Sequence, residues 1–162
     1  MNPAIVVVFS LTGHTRRVGA EIAQRLGCPM VEITETHPRR GALAYLRSGF
    51  ESLFGRTPPI QPIGQNLRDF SLLVIGTPVW VGHMSSPVRS FLVRHRGDIG
   101  NLSAFCTMGG RDPAKTFTDI TSVSGKLPVA TLATSEHELG SQQHAARLDE
   151  FIAAIRALRE GG

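Results

Sequence analysis

The chain has 162 residues, 41% of them hydrophobic, with a formal net charge of +4 and a sequence pI near 9.8. That length and apolar content fit one domain, residues 1–162, with a sizeable core and no need of a second. The longest apolar runs are strand-sized, which excludes a membrane-spanning helix, and the arginines are spread along the chain, not concentrated with aromatics, so nucleic acid is not an expected partner.

Apolar, β-rich runs recur at residues 4–9, 29–33, 71–76, 103–107 and 128–133, with helical patterns between most of them. Such alternation predicts an α/β protein, a parallel sheet wrapped by helices. The first run passes directly into Ser10-Leu11-Thr12-Gly13-His14-Thr15 and then into an amphipathic stretch from Arg16. A buried strand turning sharply into a helix leaves backbone N–H groups without intrahelical partners, and the helix dipole makes that end attractive to a phosphate. Hydroxyls at 10, 12 and 15 add donors without charge, and Gly13 lets the backbone approach a ligand. A plainer alternative is that Thr12 caps the helix and Gly13 turns the chain. Arg16 and Arg17 oppose the dipole in the first turn, a conflict that a nearby bound dianion would remove. Val18, Ile22 and Leu26 then mark the buried side of the helix, and Gly27 its stop.

Residues 34–70 are irregular. Leu43, Leu46, Phe50, Leu53 and Phe54 follow helical spacing there, and Pro58, Pro59 and Pro62 break the chain into an extended connection. The expectation is a crossover helix that covers one sheet face. The competing reading is a partner-binding surface, because Phe50 and Phe54 exceed what that face can bury.

The third run ends in Gly76-Thr77-Pro78-Val79-Trp80-Val81-Gly82, which puts the only tryptophan in a loop beyond a strand's carboxyl end, where a flat aromatic ligand could stack on it. Ser86-Pro87 reads as a cap followed by a first-turn proline, ahead of Val88, Phe91 and Leu92. The fourth run closes in Thr107-Met108-Gly109-Gly110, a third permissive loop on the same edge. Asp112-Pro113 repeats the helix start before Phe117 and Ile120. Leu148, Phe151, Ile152, Ile155 and Leu158 mark a closing helix.

The first loop resembles the flavodoxin phosphate loop, Ser/Thr-x-Thr-Gly-x-Thr, and the stretch from Gly76 to Leu92 is similar to the second flavin loop and following helix of that family; the likeness continues over nearly the whole chain. It implies a flavodoxin-like three-layer sandwich, a five-stranded parallel sheet ordered 2-1-3-4-5, with FMN at its carboxyl edge, the arrangement for which flavodoxin is itself the standard example. By position, the resemblance gives Ser10, Thr12, Gly13, His14 and Thr15 to the FMN phosphate. Pro78, Val79, Trp80, Val81 and Gly82 would line the isoalloxazine, and Thr107, Met108, Gly109 and Gly110 would form its other wall. Electron-carrying flavodoxins are acidic and usually stack a third-loop tyrosine on the outer flavin face. This chain is basic and offers Thr107 and Met108, which leaves that face open and suited to hydride transfer or a quinone.

Other phosphate-handling chemistries of this topology lack their residues. The first loop has no cysteine for a phosphatase, strand one ends in Phe9 and Ser10 where a receiver domain needs acids, and no Gly-Lys-Ser/Thr follows. The six histidines show no metal-ligand spacing, and His14 and His83, in loops at the site, read as solvent-exposed. Cys28 and Cys106 are the only cysteines, and Cys106, inside an apolar run, is expected to be a buried thiol outside any disulfide. The N-terminus lacks a charged region and cleavage site, so a cytoplasmic protein without membrane insertion is expected. The reading is an FMN-binding electron carrier that meets a redox partner protein, with an NAD(P)H-dependent quinone reductase as the alternative.

Overall fold

A computed structural model describes residues 3–110 and 112–161. The strands are β1 (Ala4–Val8), β2 (Met30–Glu32), β3 (Leu72–Trp80), β4 (His83–Met84), β5 (Asn101–Met108) and β6 (Thr131–Ser135). Five of them run parallel in the order β2-β1-β3-β5-β6, while β4 pairs antiparallel with the end of β3. With that short strand set aside, the order is the expected 2-1-3-4-5; the sheet gains a sixth strand because β3 doubles back on itself.

Strand alternation explains why the apolar runs are continuous. Ile5, Val7 and Phe9 enter one core with Leu73, Ile75, Phe91 and Ile120, whereas Ala4, Val6 and Val8 enter the other with Val18, Ile22, Leu148 and Phe151. A strand buried on both faces has no polar side to show. Helices α1 (His14–Leu26) and α5 (Gln142–Glu160) therefore cover one face, and α3 (Ser86–His95) and α4 (Ala114–Ser124) the other. Each fully buried aliphatic or aromatic side chain contributes about 1.5–3 kcal/mol.

The helix signals hold with small shifts. Gly27 ends α1 in the left-handed region, its N–H bonding back to Ala23 and Gln24. The cap of α3 is Ser85, one residue earlier than expected, because Thr77 and Ser85 exchange two 3.0 Å hydrogen bonds that hold Ser85 extended. Asp112 accepts the Ala114 N–H at 2.9 Å and starts α4.

Helix α2 (Ala42–Leu53) departs from the expectation that it covers a sheet face with its apolar stripe. Leu43, Leu46, Phe50, Leu53 and the following Phe54 are 53 to 77% exposed, while Ala44, Ser48 and Ser52 are buried. The helix packs on α3 and on the β3–β4 hairpin. Its inward side is chosen by hydrogen bonding: Glu51 and Ser48 reach a buried arginine, Arg39, that only this orientation can satisfy. The chain then returns along residues 58–61, where Ser90 and Arg94 of α3 donate to the Pro58 and Ile60 carbonyls.

Gly76 sets the spacing at the centre of the sheet. A β-carbon there would lie 2.2 Å from Cζ of Phe105 on the adjacent strand, a ring fully buried in the core. Gly76→Ala is expected to lower stability by about 1–3 kcal/mol, the cost of overpacking. Urea unfolding measures it; an unchanged midpoint would mean that Phe105 can retreat freely.

Candidate functional site

The carboxyl ends of β1, β3, β5 and β6 bring four connections to one edge. In the first, Gly13 caps α1 at φ 100°, a conformation that a side chain would strain. Ser10 Oγ accepts the N–H groups of Gly13 at 3.1 Å and Arg16 at 3.2 Å, and the Arg17 N–H closes the first helical bond to Gly13. The N–H groups of Thr12, His14 and Thr15 find no acceptor among the described residues. These are the free donors that an anion at a helix start requires.

The second connection is tighter than the expected loop. Residues through Trp80 belong to β3, and only Val81 and Gly82 turn, at φ 53° and 81°, joining Trp80 to its partner His83. Two successive positive φ values in a two-residue hairpin match the twist of the flanking strands. Gly82 accepts that geometry readily; Val81, among the described residues the one non-glycine with positive φ, does not. The Trp80 ring meets Phe9 edge-on at 5.6 Å between centroids, and the Arg39 guanidinium lies 4.7 Å over it. One face of the indole is thus already taken, which limits any ligand to its remaining surface.

A cavity of about 400 Å³ opens between these segments, within the range of small-molecule sites. Of the expected residues, Thr12, His14, Pro78, Val79, Trp80, Val81, Thr107, Met108 and Gly109 line it together. Ser10, Gly13, Thr15, Gly82 and Gly110 do not. Ser10 is spent folding its own loop. Thr15 is buried with its hydroxyl 2.7 Å from that of Thr107, tying α1 to β5 in place of facing a ligand. Gly82 accepts a bond from Thr116, and Gly110 turns the chain at φ 118° beyond the wall.

Leu11, Ser48, Gly49 and Glu136 also line the cavity and were not expected there. Glu136 follows the last strand, and a signal existed, since the loop after every parallel strand falls on the same edge. No local pattern points to Ser48 and Gly49, which arrive from α2. His83 Nδ1 pairs with Asp119 at 2.8 Å, whereas His14 Nδ1 sits 3.0 Å from Glu136 without the geometry of a hydrogen bond. Arg16 forks onto Glu32 at 2.6 and 2.9 Å, so the repulsion expected in the first turn is answered within the protein. Cys106 is fully buried, and that burial pushes its thiol up to about 12. The thiol therefore stays protonated.

No protein-family model matches the sequence, and no curated protein resembles it. Solved structures do resemble its shape. A flavoprotein from Lactobacillus acidophilus NCFM in complex with FMN superimposes with a TM-score of 0.73 at 18% identity, over 88% of this chain and 99% of that one. A Fusobacterium nucleatum flavodoxin bound to flavin mononucleotide gives 0.59 at 11% identity, over 97% and 98%. A WrbA-like flavodoxin from Agrobacterium tumefaciens gives 0.59 at 14%, over 98% and 99%. The chain has the flavodoxin-like fold.

Within this flavodoxin-like frame the excursion after β2 is anchored by Arg39. Its side chain is fully buried and donates twice to Glu35 at 2.9 Å, to Glu51, to Ser48 at 3.2 Å and to Ser86 at 2.8 Å. Arg47 adds a 2.8 Å bond to Glu51 from the solvent side. Burial pushes the Glu35 carboxyl up, more than Arg39 pulls it down. Burial also acts on Glu51, but bonds from Arg39, Arg47 and Ser86 together outweigh it and hold that carboxyl below its ordinary range. Glu51 therefore contributes stability above the ordinary glutamate range that is lost as pH falls through its own lowered value.

Removing the guanidinium leaves buried Glu35 without its two hydrogen bonds and Glu51 with only Arg47 and Ser86. Arg39→Ala is expected to cost about 3–5 kcal/mol near neutral pH. Glu35 then feels mainly the upward push of burial while Glu51 keeps its bonds from Arg47 and Ser86, so folding favours protonated Glu35 and the deficit narrows as pH falls from about 7 toward 5. Chemical denaturation across that range tests it; a deficit independent of pH would deny the carboxylates their part.

Strain at Val81 gives a second expectation. Val81→Gly should stabilise the chain by about 1 kcal/mol, the relief of a left-handed β-branched residue less the entropy of glycine. A lowered thermal midpoint would show that contact with Gly49, whose β-carbon position lies 3.2 Å from the valine methyl, matters more.

Proposed function

We propose that the chain binds FMN and carries electrons through it to or from a partner protein. The observation that carries the reading is the convergence of free N–H groups at residues 12 and 14, with that of Thr15 one step behind them, and an apolar slot formed by Val79, Trp80, Val81 and Met108 around one cavity. The residues fit the group. A phosphate has unpaired donors at a helix start and no β-carbon at Gly13 to hinder it, and a flat ring has two apolar walls. Two of the similar structures are described as holding FMN, which supports the same assignment.

FMN, when bound, supplies one- and two-electron chemistry; the protein supplies binding, orientation and electrostatics. Thr12, exposed at the loop tip, adds a hydroxyl donor toward the phosphate. Trp80 is held in place by Phe9 and Arg39, so the wall it forms is preorganised. Met108 and Gly109 form a wall without an aromatic ring, and a further cavity of about 240 Å³ opens at Val79, Val81, Met108 and Gly109. That opening favours the second reading, an NAD(P)H-dependent reductase of quinones, because a nicotinamide or quinone ring has room beside the flavin wall. The long-range positive charge serves either role, since it attracts an acidic protein as well as a dinucleotide and is screened over about 8 Å at physiological salt.

Two measurements decide these points. Thr12→Val is expected to weaken FMN roughly ten- to a hundredfold through one lost charge-assisted bond, while riboflavin, which lacks the phosphate, is nearly indifferent. Equal losses for both flavins, or affinity for FAD without FMN, would overturn the phosphate role. Anaerobic mixing of the FMN-loaded chain with NADPH or NADH separates the two readings. A carrier stays oxidised for minutes, whereas a reductase bleaches at rates compatible with about 1–1,000 turnovers per second.

A further inference from the structure

Helix α2 presents its large apolar side chains away from the rest of the chain. Leu43, Leu46, Phe50 and Leu53 follow the alternating three- and four-residue steps of a helix–helix seam, and all four are more than half exposed. Phe54 extends the stripe, its ring 4.7 Å from that of Phe50. Side chains of this size present on the order of 200 Å² each, so at these exposures the five leave roughly 600 Å² of contiguous apolar surface, the upper end of what monomers show. The helix cannot rotate to hide it. Its inward side is committed to Arg39 through Glu51 and Ser48, and rotation would strand those buried charges.

We propose that this stripe joins two copies of the chain, α2 packed antiparallel against α2 of the second copy about a two-fold axis near residue 48. The seam positions are symmetric about that point. An antiparallel copy therefore sets Leu43 against Leu53 and Leu46 against Phe50, twice over, and closes without leaving a stripe free to polymerise. Complete coverage of both stripes would remove roughly 1,200 Å² from water, just above the approximately 1,000 Å² that specific interfaces need. Charge is compatible with this occupant. Arg47, beside the seam, is neutralised by Glu51; exposed Arg40 falls at the end of the helix, and exposed Arg56 folds its guanidinium to 5.9 Å over the Phe50 ring, so the seam carries a rim of like charge. Rim repulsion of that kind is screened by salt. Self-association therefore tightens as salt rises, opposite to what the same arginines would do against an acidic protein or an anionic lipid surface. The inference stands apart from the flavin reading, because none of the seam residues lines the cavity.

Sedimentation equilibrium of the full chain over micromolar concentrations, at low and high salt, is the test. The expected result is a monomer–dimer equilibrium that tightens with salt. Leu46→Glu and Phe50→Glu should each weaken it about 100-fold or more while leaving the circular dichroism and monomer fold intact, since both side chains are exposed. In a second measurement, Leu46→Cys protein mixed with Phe50→Cys protein should form an intermolecular disulfide faster than either alone, as only the antiparallel pairing brings these positions together. A monomer at every concentration, a dimer indifferent to both glutamates, an open-ended aggregate, or a monomer that binds anionic vesicles in a salt-weakened manner would each overturn the proposal.

Discussion

One guanidinium cut off from water organises the half of the molecule that holds the cavity. Arg39 is buried with two carboxylates and two hydroxyls as its acceptors and an indole against its face. A buried charge is tolerated only when its donors are matched, so every group that satisfies Arg39 is held where it stands. Glu35 comes from the chain after β2, Ser48 and Glu51 from α2, Ser86 from the start of α3, and Trp80 from the end of β3. Four segments distant in sequence are locked to one point.

That lock has two outward consequences. It fixes Trp80 as a wall of the cavity, with Phe9 at its edge, so the slot between the second and third connections exists before any ligand arrives. Preorganisation of this kind reduces the ordering cost of binding. It also turns α2 so that small and polar residues face inward and leucines and phenylalanines face out. The polar core of this region and the apolar stripe on its surface are two sides of one arrangement.

The sheet supplies rigidity from the other direction. Val8, Gly76 and Phe105 lie on three adjacent strands, and the missing β-carbon at Gly76 is where the Phe105 ring sits. At the edge above them, a hydroxyl pair joins Thr15 at the start of α1 to Thr107 at the end of β5. The loop after β1 is thereby tied to the opposite wall of the cavity. Strain is concentrated beside it, at Val81, where the two-residue hairpin forces a β-branched residue into the left-handed region.

While the order of strands within the sheet came from the family resemblance, sequence alone determined the alternation of strands and helices along the chain, the edge on which the connections gather, and the loop of Ser10 to Thr15 as a helix start with free donors. These follow from local rules: burial on both faces makes a strand read as a continuous apolar run, and a strand entering a helix leaves its first N–H groups unpaired. Tertiary structure decided which of those residues line the cavity. Ser10 and Thr15 look equivalent to Thr12 in the chain, yet one folds the loop and the other bonds to Thr107 across the sheet. It also decided that Trp80 ends a strand and not a loop, since β4 is two residues long and only pairing with β3 defines it. The orientation of α2 was beyond reach of periodicity. Spacing reveals that a helix has an apolar side, but which side faces inward depends on what waits there, and here it is a buried arginine whose need for carboxylates exceeds the gain from burying leucines.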